Sequence, residues 1–404
     1  MRPSRPVSRA LLAPLDHFLR TESAGGMVLV VATAAALVLA NSPWSAAYLR
    51  LWELEPPIAL APLLPHASLR FWVNDGLMAV FFLVVGLEIR RELHSGALAD
   101  RRAATLPLLA AFGGILVPAW IYVALAREAR LASGWAIPTA TDIAFAVGAV
   151  ALLGKRITPG MRALLLALAI VDDIGAVLII ACFYARSIAL GPLALALVAG
   201  VGLWMLRHDW PRVAPLRTVA AIVLWLALLH SGVHPSITGV IAGLLVPVGA
   251  RAAAGTTGAP HGSSASERLQ IRLHPWVAYG VMPVFALANA AIDFRSASLG
   301  DATVRTLIGA IVCALVVGKP LGIVLGAQAG VRLRLGALPP GTALRELLVI
   351  GLLGGIGFTM SIFIAGLAFA DTRLLATAKL AVLIGSVSAA LLALALGRLF
   401  GRSR

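Results

Sequence analysis

The sequence predicts an all-α polytopic membrane protein of twelve transmembrane helices, and three observations carry that prediction. Of its 404 residues, 60% are apolar and only 13% are charged, about half the charge that a water-facing surface carries. Mean hydropathy is +0.93. Apolar runs long enough to cross a bilayer recur along the chain, broken by charge, Gly and Pro. The 39 Gly and 23 Pro are spread without period, which excludes collagen-like and disordered chains.

The runs fall near 24–41, 73–89, 103–125, 135–153, 162–185, 188–206, 218–232, 234–250, 276–292, 306–329, 347–370 and 374–397. They divide the chain into an N-terminal tail (1–23), a single transmembrane domain (24–397) and a C-terminal tail (398–404). The Gly/Ala/Ser-rich stretch 251–267 reads as a flexible cytoplasmic linker, and 43–72 is long enough for a small external element. Arg2, Arg5, Arg9 and Arg20 precede the first run as in a signal peptide, but that run is longer than a signal core, so a retained span is expected. Trp44, Trp72, Trp135, Trp210 and Trp276 lie near run ends, where interfacial anchors sit.

The 33 Lys and Arg against 18 Asp and Glu give a net charge of +15. Their grouping in twos to fours between apolar runs excludes a nucleic-acid surface and matches a positive-inside bias. The side of the N-terminus carries 23 of them and the other side 8, with Lys319 and Lys379 inside runs. Both termini are therefore expected in the cytoplasm. Cys182 and Cys313 lie within apolar runs without a Cys-x-x-Cys, which indicates neither a disulfide framework nor a zinc site.

Asp142, Asp172, Asp173 and Lys319 fall near the centres of runs four, five and ten. Each such charge costs about 2.5–3.5 kcal/mol in a bilayer, so they must have partners or face water. One ion pair would serve only to fix helix register. Three carboxylates against one ammonium leave a group that must hold a proton or a cation. Asp172 and Asp173 are adjacent, and on a helix their side chains diverge by about 100°. One is expected to open into an aqueous cavity and the other to lean toward Lys319. Such a pair titrates as a unit and exchanges protons for a cation.

Two runs carry helix breakers. Pro138 and two threonines precede Asp142 in WAIPTATDIAF, and Gly351, Gly354, Gly355 and Gly357 interrupt GLLGGIGFTMS. The alternative for those glycines is tight helix packing. Broken helices at the centres of runs 3–5 and 10–12 point to inverted-topology repeats crossing at the midplane. There, Asp142 is placed to offset the positive ends of half-helices and Lys319 the negative ends.

TATDIAFA, VDDIGA, GKPLGI and GIGFTMSIFIA, with VNDGLMAVFFLVVGLEIRREL (73–93), SGVHPSITGVIAGLLVP (231–247) and LHPWVAYGVMPVFALANA (273–290), resemble the NhaA-type sodium/proton antiporters. The resemblance runs from about Glu22 to Gly397. It implies a bacterial inner-membrane protein, often a homodimer, that exchanges cytoplasmic sodium or lithium for external protons, electrogenically and under pH control, in sodium and pH homeostasis. It implies no enzyme activity, and no cofactor beyond the transported ions. Asp173 would be the principal ion ligand and proton carrier, Asp172 its partner and the contact of Lys319, and Thr141 with Asp142 part of the crossing. Glu88, Glu92, Asp75 and His234 match family residues assigned here to the cytoplasmic entrance and pH control. The alternative for Glu88 and Glu92 is a solvated helix-end cluster with Arg91, and for His234 with His230 a solvated loop pair. Gln270 stands where the family commonly has an acid, so pH activation is expected to be shifted or weaker. A symporter of a small organic solute is the alternative function. An intramembrane aspartyl protease is the enzymatic rival, and adjacent carboxylates on one helix fit it poorly.

Overall fold

A backbone in lipid must satisfy its own polar groups, and apolar runs of this length can do so only as helices. The computed structural model describes residues 9–56, 64, 67–96, 99–185, 187–207, 213–247, 265–294, 300–339 and 342–400, and among these it is helical without a strand. The helices are α1 (Arg9–Ala40), α2 (Ser45–Glu53), α3 (Leu69–His94) and α4 (Arg101–Leu125). A 3-10 segment, Ala129–Thr139, leads to α5 (Ile143–Leu153), followed by α6 (Pro159–Phe183), α7 (Leu190–Met205) and α8 (Ala214–Ser231). Then come α9 (Ile237–Leu245), α10 (265–289), α11 (Ala302–Arg332), α12 (Leu344–Gly354), α13 (Phe358–Ala368) and α14 (Thr372–Phe400).

Six of these helices are long and apolar enough to cross a membrane, and nine spans result if each of three bent pairs is one span. The sequence predicts twelve, and the difference lies in runs six, eight and nine. In run eight, Pro235 and Pro247 confine the helix to α9, which is nine residues and about 14 Å long, under half the hydrocarbon thickness. Run six yields α7, of 16 residues. Run nine occupies only the second half of α10, whose first half carries Glu267, Arg268 and Arg272. Helix α1 begins at Arg9, within the N-terminal tail. Residues 1–8, 401–404 and most of the linker, 251–264, lie outside the described residues.

Two bent pairs match the sequence breakers. The 3-10 segment and α5 meet at 48°, as do α12 and α13. Proline also shapes α10 and α11, each of which widens into a π turn just before it, at Val277–Val281 ahead of Pro283 and at Ala314–Gly318 ahead of Lys319-Pro320. A proline cannot donate to the carbonyl four residues back, and the wider turn accommodates its ring.

Helices α6 and α11 are the most enclosed of the six long ones, with 67% and 61% of their apolar stretch buried, against 28% for α8. They carry Asp172, Asp173 and Lys319. Thr158 caps α6 by accepting from the Met161 amide at 3.3 Å. At the start of α11, Asp301 accepts from the Thr303 amide at 2.9 Å, and that bond holds its carboxyl below the ordinary range, with Arg373 at 3.0 Å acting in the same direction. Thr303 in turn donates to Glu128 at 3.1 Å. This network ties the 3-10 segment to the starts of α11 and α14.

Helix α4 packs along α11 through glycine. A Cβ on Gly113 would strike the Gly322 carbonyl, and one on Gly322 would strike the Gly113 carbonyl, so the two backbones are in direct contact. Gly322→Val is expected to destabilise the fold by about 1–3 kcal/mol, whereas Gly200→Ala, where nothing lies within 4 Å, leaves it unchanged; thermal unfolding in detergent micelles measures both.

Candidate functional site

At the first break the chain runs extended through Ala140 and Asp142 (ψ 151° and 104°) before α5 begins. The second break holds Gly355 to Gly357. The two breaks touch, because the Asp142 amide donates to the Ile356 carbonyl at 2.7 Å. Half-helix ends meet here in the buried interior, where Thr141, Asp142 and Ile356 are enclosed, and each end leaves unpaired backbone groups.

Two side chains serve those ends. Asp142 accepts from the Phe145 amide at 3.1 Å, at the start of α5, and from the Thr359 amide at 3.0 Å, at the start of α13. It also accepts from the Thr359 hydroxyl. One carboxylate thus faces two positive helix ends. Lys319 is fully buried and donates to the Thr139 carbonyl, where the 3-10 segment ends. Its second contact is Asp172 Oδ2, at 2.6 Å. Thr141 Oγ1 lies 2.6 Å from Asp172 Oδ2 and 2.7 Å from the Gly354 carbonyl, so its single proton serves one of the two. Ser361 closes the crossing by donating to the Ile137 carbonyl at 2.6 Å.

Asp173 stands apart from these bonds. It is buried, and its Oδ1, like Oδ1 of Asp172, has no hydrogen-bond partner among the described residues. It lines a cavity of about 50 Å³ with Thr141, Asp142, Glu88, His274 and Thr359. Among the described residues, the charges facing Asp173 are Glu88, Asp172 and Asp142 on one side and Lys319 on the other. A buried carboxylate so surrounded must be neutralised by a proton or a cation. Carboxylate and hydroxyl oxygens are the donors a hard cation takes, and about 50 Å³ admits an ion with a few waters, each needing at least roughly 10–15 Å³.

The residues assigned from the sequence to one entrance lie at two. Glu88 lines the Asp173 cavity and Arg91 bridges it to Glu92, at 3.6 and 3.3 Å. Asp75 lies thirteen residues earlier on α3, about 20 Å away along the helix. There it faces His234 at 3.4 Å, whose Nδ1 is 2.7 Å from Ser236 Oγ. Asp75 and His234 line a separate cavity of about 320 Å³ with Asn74, Asn289 and Phe363, so grouping the four residues at one mouth is corrected. Phe363, which lines the larger cavity with Phe285, packs against Phe82 and Phe285, with centroids 5.7 and 6.2 Å apart.

Thr359 and His274 are site residues that the sequence reading does not single out. Thr359 carries a positional signal, being the second residue of a half-helix after a glycine break. His274 belongs to the LHPW stretch, and nothing in its local pattern indicates that it lines the Asp173 cavity.

Residues 16–396 match the family described as Na+/H+ antiporter 1. The chain is 51% identical over 391 residues to the Na(+)/H(+) antiporter NhaA of Acidovorax sp., covering 96% of this chain and 92% of that protein. It is 46% identical over 430 residues to Na(+)/H(+) antiporter NhaA 2 of Sorangium cellulosum, covering 98% and 92%. To the NhaA antiporter of Escherichia coli it is 43% identical over 383 residues, covering 94% and 96%. These relatives are named as exchangers, which leaves the symporter alternative without support.

Removing one partner of the buried pair isolates the other charge. Lys319→Met is expected to destabilise the protein by about 3–5 kcal/mol, and Lys319→Met with Asp172→Asn to recover most of that loss. Thermal unfolding of the single and double variants measures the coupling.

Proposed function

The chain belongs to the Na+/H+ antiporter 1 family, and on that premise we propose how its interior carboxylates exchange the two ions. The protein is a transporter rather than an enzyme, a multi-pass protein of the bacterial inner membrane that exchanges sodium for protons. The ions are its substrates, and no cofactor enters.

Sodium binds at Asp173, with Asp172 as the second carboxylate and Thr141 and Asp142 lining the site. Protons compete for the same oxygens. The observation that carries this reading is the pair of buried, unpartnered Oδ1 atoms on Asp172 and Asp173, with Asp173 lining a small cavity and one lysine facing the carboxylates. Asp142 is engaged by helix ends and Asp172 by Lys319, so Asp173 is the group whose charge must be met by cargo. Competition for one site couples the two flows, since the site cannot travel empty and charged.

Access alternates between the ends of α3. In the conformation described, the cavity reaches Glu88 and His274 on the side we assign to the cytoplasm, and Phe82, Phe285 and Phe363 separate it from the Asp75–His234 vestibule. Both termini are assigned to the cytoplasm by the excess of Lys and Arg on that side. Twelve membrane passages, one for each apolar run, give the even count this orientation requires. Runs 3–5 and 10–12 then form inverted repeats, an architecture for which this family is itself a type example. The single domain is taken as 24–397, with the linker and both tails cytoplasmic. Glu88 and Glu92 at the inner mouth set the pH response, which Gln270 shifts or weakens. Lithium as a second cargo, electrogenic exchange, and a homodimer follow from the family resemblance.

In proteoliposomes with an imposed pH gradient, added sodium is expected to dissipate the gradient, and Asp173→Asn to reduce this to the protein-free background. The sodium concentration for half-maximal rate should rise as pH falls, approaching tenfold per unit for each proton displaced. No response at any pH from about 6 to 9, the range in which carboxylates shifted by burial titrate, would contradict the proposal.

A further inference from the structure

The 3-10 segment that leads to Asp142 is long for its kind. Such helices seldom exceed three or four residues, because their hydrogen bonds are poorly aligned, yet this one runs for eleven. Side chains from other elements reach its carbonyls. Ser361 and Lys319 hold those of Ile137 and Thr139 at the crossing. Toward its start, Tyr122 Oη of α4 donates to the Leu131 carbonyl at 2.8 Å, and the hydroxyl of Tyr184, which closes α6, donates to the Ser133 carbonyl at 2.6 Å. Ser133 gives its own hydroxyl to the Ala368 carbonyl, at the end of α13, at 2.9 Å. Neither tyrosine lines the Asp173 cavity.

The two tyrosines act at different depths. Tyr122 is fully buried, and its hydroxyl lies against Gly134, where an added Cβ would strike both it and the Phe369 ring. Tyr184 joins α6 to the segment at a second point, because α6 already meets it through Asp172 and Thr141, whose oxygens are 2.6 Å apart. The two paths between these ties match in length. From Asp172 to Tyr184 the helical rise gives about 18 Å. From Ser133 to Thr141, six 3-10 steps and two extended ones give about 19 Å. The two stretches run antiparallel with little slack, so a slip at Tyr184 is passed on to Thr141.

We propose that Tyr122 and Tyr184 are positioning residues for sodium: their hydroxyls hold the 3-10 segment in register with α4 and α6, and that register sets Thr141 and Asp142 against Asp172 and Asp173. The proposal rests on the assignment of sodium to those carboxylates and deepens it. Neither hydroxyl touches the ion. Without them the segment samples other registers, and apparent affinity falls with the fraction of molecules in the competent one. Saturating sodium draws the population back, so the maximal rate is kept.

The test compares Tyr122→Phe, Tyr184→Phe and the double variant with the parent in proteoliposomes, reading the sodium concentration for half-maximal exchange separately from the maximal rate. Each single variant is expected to raise half-saturation by about two- to tenfold, the range that one net hydrogen bond supplies, and the double variant to raise it further, with the maximal rate unchanged. Tyr48→Phe is the control. It takes another tyrosine hydroxyl from a carbonyl, that of Leu287 at 2.6 Å, but between α2 and α10, and is expected to leave half-saturation where it is. Unchanged half-saturation in Tyr122→Phe and Tyr184→Phe, with or without a lower thermal midpoint in detergent, would overturn the proposal, as would an equal rise in Tyr48→Phe. Tyr184 is partly exposed, so Tyr184→Phe decides the matter even if Tyr122→Phe fails to fold. Asp173→Asn runs alongside. Exchange that persists in it would remove the site assignment itself, whereas its loss beside unaffected tyrosine variants would overturn the positioning role alone.

Discussion

The structure depends on one electrostatic imbalance, which is more negative than positive charge buried where two interrupted helices cross. Each carboxylate there meets a different local demand. Asp142 accepts amides from the starts of α5 and α13, and so anchors both half-helices to one point. Asp172 shares Lys319 with the Thr139 carbonyl. What remains is Asp173, whose charge outruns the one lysine facing it among the described residues, and the proposed transport role rests on that excess. A second lysine at the crossing would stabilise the fold and leave nothing for an ion to do.

The crossing also suits movement. Its backbone link is short, with Asp142 donating to Ile356, and further links are side-chain bonds from Thr141, Thr359 and Ser361. These can re-form after a small displacement. The scaffold around it is less accommodating, because α4 and α11 touch backbone to backbone at Gly113 and Gly322. A rigid frame with an adjustable centre is the arrangement alternating access requires.

Much of the site was legible because a charge in an apolar run has no bland explanation. Asp142, Asp172, Asp173 and Lys319 declare themselves in that way, and Pro138 and the glycines near 355 mark where the helices break. Neutral residues do not. Thr359 reads as an ordinary helical threonine until the break beside it is seen, and His274 reaches the cavity from another helix by packing that no local pattern encodes. Resemblance also merged two ends of one helix: Asp75 and Glu88 are thirteen residues apart, and the helical rise alone separates them. The short α9 escaped because apolarity extends through the turns flanking it.

The central claim is that sodium and protons occupy the Asp172–Asp173 oxygens alternately. Calorimetric titration of the purified protein with sodium, in two buffers of different ionisation enthalpy, counts protons released per ion bound. The account predicts release of at least one proton per sodium at a pH where the site is protonated, and neither binding nor release in Asp173→Asn. Sodium binding with the same heat in both buffers, meaning that no proton leaves, would contradict it.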